Sequence, residues 1–597
     1  MGAPENIALQ DMQDTFTTEQ KEYLAGFLLA AAKRGESFFA GTTADGRITP
    51  DPGSGVENYA LECRGENWYG TSVDEICKEE RWKLEENPLD LWDKLLAHAN
   101  ENRFPEGGDI FRFKYHGLFY VAPAQDSFML RLRVPGCMVS ARQMRGLAEM
   151  AEEWGAGEAH ITTRGNIQIR KFQPKDIVNV LTKVQSLGMS SRGSGADNIR
   201  NITATPTSGI DPTELFDVVP MARALDFYIL NSRDLYELPR KFNVAFDSGG
   251  AVSIVADTND IAFIATRVVE GRSVPAGIYF RVQLCGITGH RQFASDCGLL
   301  LTPGQAVAVA AAMIRVFTEH GDRTDRKKAR LKYLVDRWGV EKFLEETEKR
   351  LTFPLMRVPL AECEPRASVN RHGQLGVHPQ LQAGLFYIGV AVPVGRLTVA
   401  QMRAIAGVAD TFGCGEIRLT VWQNLILPNI PSENLEAARR AIADAGLSDS
   451  ARTLAAGVVA CTGNQGCRYS ATDTKAHALQ LADFLDERFT MEHPLNLHVT
   501  GCPHSCAQHY IGDIGLLGAK VGGEEGYQVL LGGGSDERRG LGRELISAIR
   551  FSDLPATLER LMQSFEERRS EDESFLAFTR RHEIEQLKEM LCVKERA

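Results

Sequence analysis

Four cysteines stand in two short, turn-rich stretches: Cys461-Thr-Gly-Asn-Gln-Gly-Cys467 and, after a spacer of helix length, Thr500-Gly-Cys502-Pro-His-Ser-Cys506. Glycine, proline, asparagine and threonine let the backbone turn its N–H groups inward, toward a bound anion or sulfide. Such a pair of turns can build a four-thiolate cage. Three readings compete: a structural zinc site, a four-iron four-sulfur cluster, or buried thiols without function. Zinc favours a Cys-x2-Cys knuckle in each half. The gaps here are five and three residues, wider than that knuckle, and soft thiolates also suit iron–sulfur clusters.

The elements that must carry this cage belong to a repeat. With Val134-Pro135 set over Val392-Pro393, 258 residues apart, Gln143-Met144-Arg145 falls on Gln401-Met402-Arg403 without a gap. In the same frame Gly155 and Gly157-Glu158 meet Gly413 and Gly415-Glu416, while Thr162 and Asn166 meet Thr420 and Asn424. Each copy reads as strand, helix, glycine turn and strand, with apolar Leu132 and Val134, a helical apolar spacing, then rough alternation over His160–Ile169. A looser match sets Asp260-Ile261 over Asp513-Ile514 and Gly277-Ile-Tyr-Phe over Gly526-Tyr-Gln-Val. The chain is therefore a duplicated pair of modules. The copies differ in charge: Arg131, Arg133 and Arg164 correspond to Gly389, Ala391 and Trp422. One half keeps cations and the other keeps cysteines, which predicts an anion pocket facing an electron-delivering cofactor across a pseudo-twofold axis.

The paired cysteine motifs resemble the signature of the assimilatory nitrite and sulfite reductases, and the resemblance runs from about residue 110 to the C-terminus. It implies a [4Fe-4S] cluster on Cys461, Cys467, Cys502 and Cys506, coupled to sirohaem, with Cys506 also the proximal ligand of the sirohaem iron. It places substrate-facing cations at Arg131 in Met129-Leu-Arg-Leu-Arg-Val-Pro, Arg200 in Asp197-Asn-Ile-Arg-Asn, and Lys241 in Leu238-Pro-Arg-Lys-Phe-Asn. Arg164 in Thr162-Thr-Arg-Gly-Asn matches an arginine near the macrocycle, although Gly165 stands where the family usually has Gln. Arg133 is assigned to the cofactor with it. The basic stretch Arg323-Thr-Asp-Arg-Lys-Lys-Ala-Arg-Leu-Lys-Tyr-Leu-Val-Asp is expected as a helix, with Lys327, Arg330 and Lys332 serving the sirohaem carboxylates.

The expected reaction is the six-electron reduction of nitrite to ammonia. Nitrite is an anion whose reduction consumes protons, so fixed cations hold it and stabilise charge on oxygen. Lys241, which can release a proton when desolvated, is the expected donor or relay. Asn243 separates nitrite from sulfite, because the sulfite branch usually carries a second lysine there and the nitrite branch Asn. Reduction of sulfite to sulfide on the same cofactors is the alternative. A cobalamin-pathway monooxygenase without sirohaem stands further off, and a zinc-bound scaffold furthest.

The remaining sequence sets bounds. At 597 residues the chain exceeds one core, and a net charge of −11 argues against a general nucleic-acid surface. No apolar run is long enough to span a bilayer and no secretory signal opens the chain, so a cytoplasmic protein without a membrane partner is expected. Twelve cysteines in this length do not form a secreted disulfide framework. Cys63, Cys77, Cys137, Cys285, Cys297, Cys363, Cys414 and Cys592 are expected mainly as plain buried thiols. No P-loop or strand-linked Gly-x-Gly-x-x-Gly supplies a nucleotide site, so electrons come from a carrier protein, ferredoxin or flavodoxin. A monomer is expected.

The expected fold is α/β with mixed sheets, in two pseudo-symmetric halves. A helical extension over 1–60, with a capped helix from Thr17 and a linker near 41–56, precedes a ferredoxin-like module over 61–190. A cation-bearing module over 191–350 follows, then a second ferredoxin-like module over 351–450 and a cluster-bearing module over 451–597. Phe575–Met590 reads as one final helix.

Overall fold

The computed structural model describes residues 67–490 and 495–591. The expected N-terminal helix and linker, Cys63 and Cys592 lie outside the described residues. A small ribbon, β1 (Asn67–Trp68) and β2 (Thr71–Ser72), comes first. Then follow β3 (Leu118–Val121), β4 (Ser127–Arg131), β5 (Met138–Ser140), β6 (Glu158–Ile161) and β7 (Ile167–Phe172). The next module contributes β8 (Thr203–Ala204), β9 (Val244–Asp247), β10 (Ile261–Val268), β11 (Gly277–Leu284) and β12 (Ser295–Leu301). The second half repeats the pattern with β13 (Gly376–Pro379), β14 (Leu385–Val390), β15 (Arg396–Thr398), β16 (Glu416–Leu419) and β17 (Leu425–Pro431). It ends with β18 (Val458–Ala460), β19 (Leu497–Thr500), β20 (Ile514–Val521), β21 (Glu524–Leu531) and β22 (Arg543–Arg550).

Four five-stranded sheets result, in two matched pairs. The larger modules have the same topology: in β8-β9-β10-β11-β12 and in β18-β19-β20-β21-β22, the first three strands are parallel and the last two antiparallel. The smaller pair trades strands. Their orders are β15-β6-β7-β4-β3 and β13-β14-β17-β16-β5, so β15 of the second half edges the first sheet and β5 of the first half edges the second. Register follows the repeat: Met138 pairs with Arg418, and its counterpart Arg396 pairs with His160.

Local sequence explains the helices beside these strands. Ser140 caps Ala141–Glu153 in a box with Gln143, and Thr398 caps Val399–Phe412 in the same way with Gln401. Met144, Leu147, Ala148 and Ala151 recur at helical spacing and are buried, as are Met402, Ile405, Ala406 and Ala409. The two helices pack on each other across the axis, with Arg145 paired to Asp410 and its counterpart Arg403 to Glu152. That reciprocity is the mark of a twofold contact. These exposed pairs add little energy. The shared core does more: one continuous apolar cluster runs from Leu118, Phe128 and Leu147 through to Ile388, Met402 and Leu427.

Two expectations are corrected. Residues 323–330 are not helical; the helix begins at Leu331 and ends at Trp338. Asp322 accepts the backbone N–H groups of Thr324 and Asp325, at 2.7 and 3.1 Å, and Asp325 accepts that of Lys327 at 2.9 Å. Such local side-chain bonds compete with helical ones. The C-terminal helix is two helices, Phe575–Arg581 and Ile584–Met590. His582 and Glu583 are extended between them, and Glu583 forms a fresh capping box with Gln586.

Candidate active site and thiolate cage

The halves enclose a cavity of about 480 Å³. Among the described residues, eight cations line it (Arg131, Arg164, Arg200, Arg240, Lys241, Arg326, Arg330 and Lys475) and no carboxylate does. Cys461, His504, Ser505 and Cys506 form part of the same wall. Such a lining is costly unless an anion fills it.

The cations come from several separate elements. Arg131 ends β4 and lies over the Phe119 ring, 4.4 Å from its centroid; burial pushes its pKa down to about 10. Arg200 donates to the carbonyls of Ser194 and Ala196, both at 2.6 Å. Its own N–H bonds Phe242 O at 2.8 Å, tying it to the Lys241 loop. Arg164 donates to Asn259 Oδ1 at 2.8 Å and Asn201 O at 2.7 Å, leaving a buried Nε without a partner. Burial, and then the Arg330 guanidinium, push Lys241 down to about 7, while Cys506 acts in the opposite sense. Asp260, fully buried behind the wall, organises this side. It accepts Arg330 Nη2 at 2.6 Å and the Asn243 backbone N–H at 2.8 Å. Its repeat partner Asp513 likewise accepts Arg371 and the Asn496 N–H, at 2.8 and 2.9 Å.

Three of the expected cations fall elsewhere. Arg133 is buried in the first half, where it donates to Asp226 at 2.6 Å and Ile199 O at 2.9 Å. It holds the module together and does not line the cavity. Lys327 is exposed on the turn that replaces the expected helix, and Lys332 pairs with Asp336 one helical turn on. Arg240, Arg326 and Lys475 take their places in the lining. Arg240 lies inside the Leu238–Asn243 motif and was legible there. Arg326 reaches the wall through two bonds to Asp197, one of 2.9 Å, which pairing sequence alone does not reveal.

Gly165 is explained by its neighbour. Its φ is +52°, and a Cβ there would stand 2.3 Å from Cys137 Sγ. The glycine and the buried cysteine are one packing solution. On the other side of the repeat, Trp422 replaces Arg164 and packs edge-on against His498 at 5.8 Å.

All four cysteines are free thiols, and Cys461 and Cys506 line this cavity. Burial raises Cys506 to about 11, with Lys241 acting against it and Cys461, Cys502 and Cys467 acting with it, so the four are electrostatic neighbours. Cys506 itself is open to the cavity. Cys461 Sγ accepts the Gly501 N–H at 3.3 Å and touches Thr474 Oγ1 at 3.5 Å. Glu525 clamps the first loop at both ends, accepting Asn464 Nδ2 at 2.6 Å and the Asp473 N–H at 2.8 Å. The backbone leaves no room for side chains: a Cβ on Gly501 would meet Ser470 Oγ at 1.7 Å. Thr163 reaches across the axis to Cys506 O at 2.9 Å. Among the described residues, no three His, Cys, Asp or Glu side chains converge closely enough for a single metal ion. Soft neighbouring thiols at these spacings fit an iron–sulfur cluster. The orphaned cations beside them fit a large polyanionic ring.

A cage of thiols opening on a cation-only cavity, between duplicated halves, defines a redox enzyme acting on a small anion. The chain belongs to the nitrite and sulphite reductase family. Residues 195–355 and 454–596 match its 4Fe-4S domain, and residues 121–187 and 378–445 its ferredoxin-like half domain. It is 34% identical over 506 residues to a ferredoxin–nitrite reductase of Synechococcus elongatus, covering 82% of this chain and 97% of that one. It is likewise 34% identical to the chloroplastic ferredoxin–nitrite reductase of Zea mays, over 75% of this chain and 81% of that one. The solved NirA protein of Mycobacterium tuberculosis superposes with a TM-score of 0.79 at 26% identity, covering 89% and 99%. Among the described residues no helix is long and apolar enough to cross a membrane.

Proposed function

We infer that the protein reduces nitrite to ammonia with electrons from ferredoxin, and the observation that carries this is the cation-only cavity opening on the four-cysteine cage. Cys461, Cys467, Cys502 and Cys506 would hold a [4Fe-4S] cluster, with Cys506 also serving the sirohaem. Arg164, Arg240, Arg326 and Arg330 are the cations available to its carboxylates. When bound, the sirohaem would supply a redox-active iron and the cluster its electrons.

The chain's own part is electrostatic and protonic. Arg131, Arg200 and Lys241 draw the anion in and hold its oxygens where negative charge develops. Both oxygens leave as water, so protons must arrive; Lys241 Nζ, desolvated and able to lose its charge near neutrality, is the donor. The outer edge of the cage lies beside His504 and Tyr469, whose rings stand 5.3 Å apart. Tyr469 is 57% exposed, and a donor protein can approach there.

The cavity also suits sulfite, and Asn243 bears on the choice. It lines the wall as a neutral amide amid cations. A monoanion needs less positive charge than a dianion, so the neutral side chain favours nitrite. The test is turnover of the purified holoenzyme with each anion under a chemical reductant, together with its visible spectrum. Faster turnover of sulfite than nitrite under matched conditions would overturn the nitrite reading.

A further inference from the structure

Two buried cations stand behind the cage, and nothing in the reaction so far uses them as a pair. Arg170, on β7, donates through Nη2 to Thr462 Oγ1, the residue after Cys461, and to Gln168 Oε1, both at 2.9 Å. Its Nε and Nη1 are buried without a partner. Gly466, next to Cys467, admits this guanidinium: a Cβ there would lie 2.7 Å from Arg170 Nη1. Lys475 lies on the helix Thr474–Asp486, directly after the threonine that touches Cys461 Sγ. Its Nζ donates to Val394 O at 2.7 Å and contacts His160 Nδ1 at 3.2 Å. Both side chains are at least 95% buried.

Among the described residues, neither cation has a carboxylate of its own. Glu158, which both sense, is already engaged by His160 at 2.9 Å and Arg396 at 3.4 Å. Burial lowers Arg170 to about 10 and Lys475 to about 7; the opposing influences are Cys467, Glu158 and Cys461 for Arg170, and Glu158 and Cys461 for Lys475. Buried charge of this kind needs compensation, and here the cysteine thiolates are the anions at hand.

We propose that Arg170 and Lys475 are the charge-compensating pair that sets the reduction potential of the cluster held by the four cysteines. Reduction adds one negative charge to an already anionic cage; a buried cation beside it favours that state over the oxidised one, and the added charge in turn favours the protonated form of Lys475. The pair comes from both halves, so the first half contributes to the cage as well as to the anion pocket. The proposal rests on the cluster reading above.

Its test is a potentiometric titration of the holoenzyme followed by electron paramagnetic resonance, with iron and sulfide content measured on every sample. Arg170→Gln keeps a bond to Thr462 and removes the charge; Lys475→Gln does the equivalent on the other side. Each variant is expected to hold a full complement of iron while its reduced-to-oxidised ratio at the parent's midpoint falls about tenfold, a shift of about 59 mV for a one-electron couple. Arg170→Lys, which restores charge, should return the potential toward the parent value. Unchanged potentials in both Gln variants at full iron content would overturn the proposal, as would a Lys variant as displaced as the Gln one. If the Gln variants lose iron, recovery of iron in Arg170→Lys supports the charge requirement, and its failure to recover overturns it. A parent without iron, sulfide or a cluster signal would instead sink the cluster reading itself.

Discussion

Lys241 lines the cavity with no hydrogen-bond partner among the described residues, and its pKa is lowered from about 10.5 to about 7. Below that value it carries the proton the reaction needs; as pH rises through about 7 that proton is lost. Nitrite turnover is therefore expected to fall on the alkaline side of pH 7. Arg at this position keeps its charge at any working pH, so Lys241→Arg should turn over more slowly with a flat profile, which a pH–rate series would show. Arg200→Ala removes a charged contact in a dry pocket, costing about 2–4 kcal/mol, or roughly 30- to 1000-fold in rate. Both cofactors should remain, since the Arg200 fork is held by carbonyls and not by the cage. Nitrite turnover within about threefold of the parent would place Arg200 outside the working pocket. Asn243→Lys adds a charge beside Lys241 and Arg330 and should raise sulfite turnover relative to nitrite by about tenfold, read as the ratio of the two rates.

Among the elements, the first cysteine loop depends on a strand it does not belong to. Glu525 on β21 grips Asn464 and Asp473, the two ends of the segment that carries Cys467. Glu525→Ala removes two charge-assisted bonds, each worth about 1.5–3 kcal/mol. Iron and sulfide per chain should drop while the far-ultraviolet circular dichroism stays that of the parent; full iron content would show that the clamp is dispensable. The cage and most of the pocket were legible in the sequence because they sit in contiguous motifs, such as Thr500–Cys506 and Leu238–Asn243. Arg170, Arg326 and Lys475 were not. Each reaches the site only because its own strand, turn or helix is laid against a distant one. The basic stretch at 323–336 misled in the opposite way: its charge pattern reads as one helical face, but the Asp322 and Asp325 side chains capture the backbone first.

For the whole molecule, the repeat was visible residue by residue, and the traded strands were not. β5 and β15 are three residues each, too short to show alternation. Their partners are remote in the chain: Arg418 lies 280 residues after Met138, and His160 lies 236 residues before Arg396. The exchange, and the core it closes, imply that neither half is complete alone. Separate production of the halves, cut after Pro365, should give insoluble or cofactor-free material, whereas co-production should restore a cofactor-bearing complex. A stable, cofactor-binding half made on its own would contradict this.

The traded strands also decide how the protein can move. Two lobes joined by a hinge can open to admit a ligand and close to shield it. Lobes that each complete the other's sheet, at registers fixed by Met138 with Arg418 and Arg396 with His160, cannot part without breaking strand ladders on both sides at once. The enzyme is therefore a fixed vessel and not a clamp. Anions must then be selected by charge and size within a cavity whose walls do not swing apart.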